Sequence, residues 1–203
     1  MKKIIAAAMA AMLAFSCHHD PTEPIEPQPP LALKPNDFPP GQRKHGWASA
    51  IKNDTIDWQA SARASFHFLR NDFFFCAFTT HATNEPGWDF LREQLTFGNM
   101  ALRPKTYPLK NNVNWNVDDG IAFAIVGRYL GEGDEVVMGY EIDESYGDEN
   151  YIRISVIDTV AKVAEGEFSA HFVADTFFNA NLWLYPKHTS FKSGKFRCQL
   201  VPW

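Results

Sequence analysis

The chain has 203 residues, 19 of them basic and 24 acidic, for a formal net charge of −5. That balance leaves no electrostatic footprint for nucleic acid, and no run of Lys and Arg restores one. No GxxxxGK[ST] and no GxGxxG occurs, so no nucleotide cofactor, nor any other, is expected.

Lys2 and Lys3 open the chain, an apolar run follows from Ile4 to Leu13, and Leu13-Ala14-Phe15-Ser16-Cys17 closes it. This is the order of a secretion signal. The run is shorter than the roughly 20 apolar residues a membrane-spanning helix needs, and His18-His19-Asp20 ends it. A cysteine directly after a small residue at this point resembles the bacterial lipobox, although Phe15 stands where that pattern prefers a small residue. Residues 1–16 are therefore expected to be a lipoprotein signal peptide and Cys17 the lipidation site. The alternative is plain secretion with cleavage near Ser16. The location that follows is the cell envelope, as an outer-membrane lipoprotein facing the periplasm or the surface. The membrane is then a partner through the acyl chains, each buried methylene contributing about 0.8 kcal/mol.

Without Lys2 and Lys3 the balance becomes 17 basic to 24 acidic, or −7. Eight of the thirteen prolines fall between Pro21 and Pro40. A segment so rich in proline neither pairs as strand nor continues as helix, and it favours polyproline II at about 3.1 Å per residue. Residues 17–45 are expected to be a semi-rigid tether. Residues 46–203 are then long enough for one domain with its own core.

Within that domain the expected strands are Trp47–Ile51, Asp57–Leu69, Asp72–Thr80, Gln94–Phe97, Thr106–Leu109, Ile121–Leu130, Glu135–Ile142, Tyr151–Ile157, Val163–Val173, Leu182–Tyr185 and Phe191–Val201. They are β-branched or aromatic and bounded by Gly, Asn, Asp and Pro. In the last of them Phe196, Cys198 and Leu200 alternate with Lys195, Arg197 and Gln199, the period of two of a half-buried strand. One short helix is an option at Pro86–Arg92, where Trp88, Leu91 and Leu95 recur at helical spacing, and the same stretch also reads as strand. The fold expected is all-β: an antiparallel β-sandwich or flattened barrel of about 9–11 strands with at most one short helix.

The stretch Ala48-Ser49-Ala50-Ile51-Lys52-Asn53-Asp54-Thr55-Ile56-Asp57-Trp58-Gln59-Ala60 resembles the A-x-I-N-G-x-x-W-x-A hairpin that opens many uncharacterised small lipoproteins of Bacteroidota. Its turn differs, with Lys52-Asn53-Asp54 where Asn-Gly is usual. Ile154-Ser155-Val156-Ile157-Asp158, the G-x-F-x-F-like run Gly166-Glu167-Phe168-Ser169-Ala170-His171-Phe172 and Ser193-Gly194-Lys195-Phe196 resemble the C-terminal half of the same group. The resemblance implies a β-sandwich-like domain and supplies no catalytic residues.

Chemistry is therefore sought residue by residue. Cys76 and Cys198 both fall in phase with apolar neighbours, which suits either one disulfide in an oxidising compartment or two buried free thiols. His45, His67, His81, His171 and His188 are scattered, with neither HExxH nor CxxC. Alternation puts His67 and His171 on the solvent face of their strands. From Glu132 to Glu149 acidic residues gather with no Lys or Arg between them. Asp143, Glu144, Asp148 and Glu149 could offer oxygens to Ca²⁺, but a solvated hairpin tip explains them better, and no metal is expected. Trp115, flanked by Asn114, Asn116, Asp118 and Asp119, is the candidate ligand-facing loop, since an indole stacks on a sugar while amides and carboxylates bond its hydroxyls. Asn and Asp are also turn formers.

Three function classes follow in order. The first is a tethered, non-catalytic binding or adaptor module for a glycan, a peptide or an envelope protein. The second is a structural or assembly lipoprotein. The third is a glycan hydrolase, which needs two carboxyls about 5–9.5 Å apart.

Overall fold

The computed structural model describes residues 45–67, 70–85, 88–114, 118–130, 135–175 and 185–201. The signal, Cys17, the tether up to residue 44, Trp115, Asn116 and the strand expected at Leu182–Tyr185, Tyr185 apart, lie outside them. The described residues form ten strands in chain order: β1 (Gly46–Lys52), β2 (Ile56–His67), β3 (Arg70–Glu85), β4 (Trp88–Ala101), β5 (Lys105–Pro108), β6 (Phe123–Leu130), β7 (Glu135–Ile142), β8 (Tyr151–Asp158), β9 (Val163–Ala174) and β10 (His188–Val201). The stretch that could have been a helix at Pro86–Arg92 is strand from Trp88 onward, because β4 pairs along most of its length with β3 and so buries Leu95 and Phe97 on one face. Among the described residues the one helical piece is a 3-10 turn over Glu144–Glu149.

Eight strands close on themselves in the order β1-β2-β3-β4-β6-β7-β9-β10, every neighbour antiparallel. The fold is a closed barrel rather than two facing sheets. Closure removes the open edges that a sandwich leaves. Beyond the start of β1, β10 also meets β2 directly and in parallel, over Leu200 with Ala64 and Val201 with Ser65.

The two extra strands extend the wall beside β9. Tyr140 to Ile142 of β7 pair with Ala174 to Phe172, and β8 resumes along the same edge of β9, with Tyr151 opposite Ser169. β7 and β8 are thus two halves of one long partner of β9, interrupted opposite Ala170 and His171 by an excursion over residues 143–150. β5 lies along the far side of β8 and reaches β6 through a bridge between Leu109 and Ala122.

Small and large residues divide the interior between them. Ala48, Ala50, Ala60, Ala62, Ala64, Ala122, Ala124, Ala164 and Ala170 point inward beside Phe74, Phe78, Phe97, Phe168, Phe172, Phe191 and Phe196. An eight-stranded barrel has an interior just wide enough to be filled by side chains in this way. At its centre Phe78 lies 5.7 Å from Phe97, 5.4 Å from Phe168 and 5.2 Å from Phe196, ring centroid to centroid.

The G-x-F runs now have a physical reading. Phe168 stands opposite Gly194 and Phe196 opposite Gly166, so the two motifs interlock across the β9–β10 ladder. A Cβ on Gly194 would come within 2.5 Å of the Phe168 ring, and one on Gly166 within 2.8 Å of the Phe196 ring. Each phenyl occupies the space that its partner glycine leaves.

Candidate functional site

The outer face of β4, β6 and β7 carries a cleft of about 430 Å³. Its floor includes Gly127 and Gly139, which are directly paired and so leave a strip of bare backbone between two strands. On either side stand Ile125 and Val136, both exposed, and Tyr129, whose ring lies over Gly127 at 3.2 Å from where a Cβ would be. Phe123 packs in the same manner on Gly98 of β4, its cross-strand partner. Each ring packs against a glycine of the sheet and stays partly exposed.

Polar groups ring this apolar strip. Gln94 donates to Thr96 Oγ1 at 3.0 Å, and Lys110, Asn111, Glu141 and Asp175 complete the lining. Asn111 is fixed by the backbone of Ile142, its amide donating to that carbonyl at 2.9 Å and accepting from that N–H at 2.9 Å. Glu141 faces Val173, and Asp175 follows two residues later with its N–H on the Gly139 carbonyl at 2.9 Å. The two carboxylates are therefore diagonal neighbours, whose Cα atoms in a ladder stand about 7–8 Å apart.

The loop around Trp115 borders this cleft through Asn111 at its start, next to Lys110, rather than through its aspartates. Asp118 pairs with Arg103, lies 3.6 Å from Lys105 and accepts the Gly120 N–H at 3.2 Å. Asp119 accepts the Ile121 N–H at 3.1 Å. Both carboxylates thus brace the turn into β6, which is how Asp commonly serves in turns. Asn114 is exposed.

Asp143, Glu144, Asp148 and Glu149 do not converge, and no three metal-binding side chains gather among the described residues. Asp143 caps the 3-10 turn, accepting from the Ser145 N–H at 3.2 Å and hydroxyl at 2.6 Å, and those bonds hold its carboxyl below the usual range. Glu144 points away, accepting from the Asn111 N–H at 3.0 Å with Lys110 at 3.5 Å. The excursion that carries them is held by Asn150. Its amide donates to the Asp143 carbonyl at 2.8 Å, and its oxygen accepts the His171 N–H at 2.8 Å and lies 3.1 Å from His171 Nδ1.

His171 is thereby a correction to the alternation pattern. It does sit on the outer face of β9, but only 4% of its surface is exposed, because Tyr146 of the excursion stacks on its ring with centroids 3.9 Å apart and the planes nearly parallel. Alternation fixes which way a side chain points and says nothing of what is laid over it. Burial pushes the His171 pKa down, and Lys192 adds to this, while Glu149, Asp54 and Asp143 oppose it. The side chain of His67 lies outside the described residues.

Inside the barrel, at the end where β1 runs into β2, a charged cluster replaces the aromatic packing. Glu93 pairs with Lys52, accepts from Trp58 Nε1 at 3.0 Å and lies 3.4 Å from Arg128. Arg128 in turn faces the rings of Tyr140 at 5.6 Å and Tyr185 at 5.3 Å. Burial lowers the Lys52 pKa, against the opposing pull of Glu93. Glu93 is the carboxylate common to these contacts, so two cations share one anion, the cluster carries a formal excess of one positive charge, and Arg128 Nε is buried with no hydrogen-bond partner among the described residues.

Sequence reasoning passed over the cleft. Its signal lies in β6, Phe123-Ala124-Ile125-Val126-Gly127-Arg128-Tyr129, which is apolar in both phases although only Ala124 and Val126 point into the core. Comparison with protein-family models, with characterised proteins and with solved structures gives no match.

Proposed function

We propose that this chain is a membrane-tethered, non-catalytic module that binds an oligosaccharide along the outer cleft of β4, β6 and β7. On this reading Cys17 carries the lipid, residues 17–45 are the tether, and the domain stands off an envelope membrane, as in the small Bacteroidota-type lipoproteins that its motifs resemble. The observation that carries the binding role is the cleft itself, an exposed apolar strip of Ile125, Val136 and Tyr129 over paired glycines, rimmed by amide, hydroxyl and carboxylate groups. Its volume of about 430 Å³ suits a small-molecule or glycan subsite. A peptide adding as a strand needs a free edge, whereas the floor of the cleft, Gly127 and Gly139, is already paired across β6 and β7. Sugars need no free backbone groups. They stack an apolar face on a ring and bond their hydroxyls to the rim.

A glycan array, followed by calorimetry on the best ligand, tests the proposal with Tyr129→Ala and Ile125→Ser in parallel. Affinity is expected to fall at least tenfold in each variant and to stay within twofold in Asp119→Ala, which alters only the turn. Absence of any glycan ligand, with recovery of one envelope protein in pull-downs, would favour the assembly reading instead. A hydrolase, the third class from sequence, is favoured by one specific observation, that Glu141 and Asp175 share the cleft. It predicts shortened products from the bound glycan, lost in Glu141→Gln or Asp175→Asn with binding retained.

A further inference from the structure

We propose that Cys76 and Cys198 are a disulfide-forming pair that fastens the last strand of the barrel to its first long hairpin. β1 spans only Gly46–Lys52, and beyond Gly46 the barrel is closed by two parallel residue pairs between β10 and β2. Cys198 stands opposite Gly46, where β1 begins, and Cys76 stands opposite Ala64, the residue that meets Leu200. Both thiols point into the core at this thin closure. Their sulfurs are 3.9 Å apart, and Cys198 Sγ also approaches the Ala164 carbonyl at 3.7 Å. They are the two free cysteines among the described residues, both buried.

A bond between them would join β3 to β10, residues 122 apart in the chain, and would hold the closing strand where its ladder is weakest. The longer the loop a disulfide closes, the more it restricts the unfolded chain. The oxidant required is another disulfide. One thiolate of the pair attacks an oxidant sulfur and expels a thiolate, giving a mixed disulfide. The second, deprotonated in turn, attacks that protein sulfur and expels the other half of the oxidant. Two electrons and two protons pass to the oxidant, which leaves as two thiols. In the closed barrel, burial holds the Cys76 thiol well above its usual pKa, so the first attack belongs to the open chain and the second to the docking of β10, which brings the two sulfurs together.

Supply of such an oxidant in the cell rests on the reading that the chain is exported, whereas the pairing itself does not. The full chain is therefore refolded in a buffer of oxidised and reduced glutathione, and separately isolated from the producing cells. Each sample is denatured, alkylated without reductant and mapped by mass spectrometry. In the glutathione sample the peptides of Cys76 and Cys198 are expected joined and two hydrogens lighter than the free pair. The oxidised protein is expected to melt several degrees above the reduced one, with no such difference in the double variant Cys76→Ser, Cys198→Ser. A joined pair in glutathione with free thiols from cells would support the pair and count against export. Alkylation of both thiols in the glutathione sample, a link from either of them to Cys17, or equal melting of the oxidised and reduced forms would overturn the proposal.

Discussion

The barrel uses one device on both sides of its wall, a ring laid over a glycine of the same or the neighbouring strand. Inside, Phe168 over Gly194 and Phe196 over Gly166 are fully buried and meet further phenyls. Outside, Phe123 over Gly98 and Tyr129 over Gly127 are only half-buried. The sheet-facing contact is similar in the two places. What differs is whether the far face of the ring meets protein or solvent, and that decides whether the pairing contributes to stability or forms a surface for a ligand. The outer wall of β9 shows a third outcome, in which an outward residue, His171, is roofed by a loop of its own chain.

Substitutions separate these cases by size. The largest expected effect is from Gly166→Ala. A Cβ there would stand 2.0 Å from the Arg153 carbonyl of β8, a backbone atom that cannot swing aside, as well as against Phe196. A loss of about 3 kcal/mol or more is expected in denaturant unfolding, at the upper end of overpacking effects. Next comes Asn150→Ala, which leaves the buried His171 N–H without its acceptor and releases the Asp143 carbonyl. About 2 kcal/mol is expected, together with faster hydrogen exchange confined to residues 143–150. On the outer wall Gly98→Ala would put a Cβ 2.1 Å from the Phe123 ring, but that ring can turn toward solvent. A loss of only about 1 kcal/mol is expected there, with weakened glycan binding. If Gly98→Ala proved as costly as Gly166→Ala, the distinction between inner and outer rings would fail.

The smallest effect is on pH dependence. The folded state holds the His171 pKa below its usual 6.5, so it favours the neutral ring. This contribution is fully present above about pH 6.5 and is lost as pH falls toward the depressed folded value. Lys192, Glu149, Asp54 and Asp143 all act on this ring through their charges, and His188 lies 3.6 Å from Asp143. The difference between the wild type and His171→Gln isolates the ring: their stability gap should narrow as pH drops from 7 to 5. A constant gap would show that Tyr146 does not select the neutral imidazole.

Much of the fold was legible because strand alternation is a local property. The phase of Phe196, Cys198 and Leu200 is fixed by backbone pleating, and all three point inward as their spacing requires. The segment around Trp88 and Leu91 was ambiguous for a local reason too, since apolar residues at 88, 91 and 95 recur at helical spacing while Leu91, Leu95 and Phe97 share one face of a strand. Pairing with β3 resolved it. The candidate site was legible in part. Asn111 opens the loop that carries Trp115 and lines the cleft, but Asp118 and Asp119 turn out to be spent on the backbone and on Arg103. Ile125, Tyr129 and Val136 form a cleft only because Gly127 comes to lie beside Gly139 across β6 and β7, and register is set by the whole sheet.

By itself, the sequence determined that residues from about 46 onward are strands with alternating faces, because pleating, β-branching and turn chemistry act within a few residues. Tertiary structure alone decided that the sheet closes into a barrel, that Cys76 and Cys198 meet across 122 residues, and that His171 is covered while Ile125 is bare. Each of these depends on which distant strand or loop arrives next to a given face. Local physics orients a side chain, and only long-range packing determines what it touches.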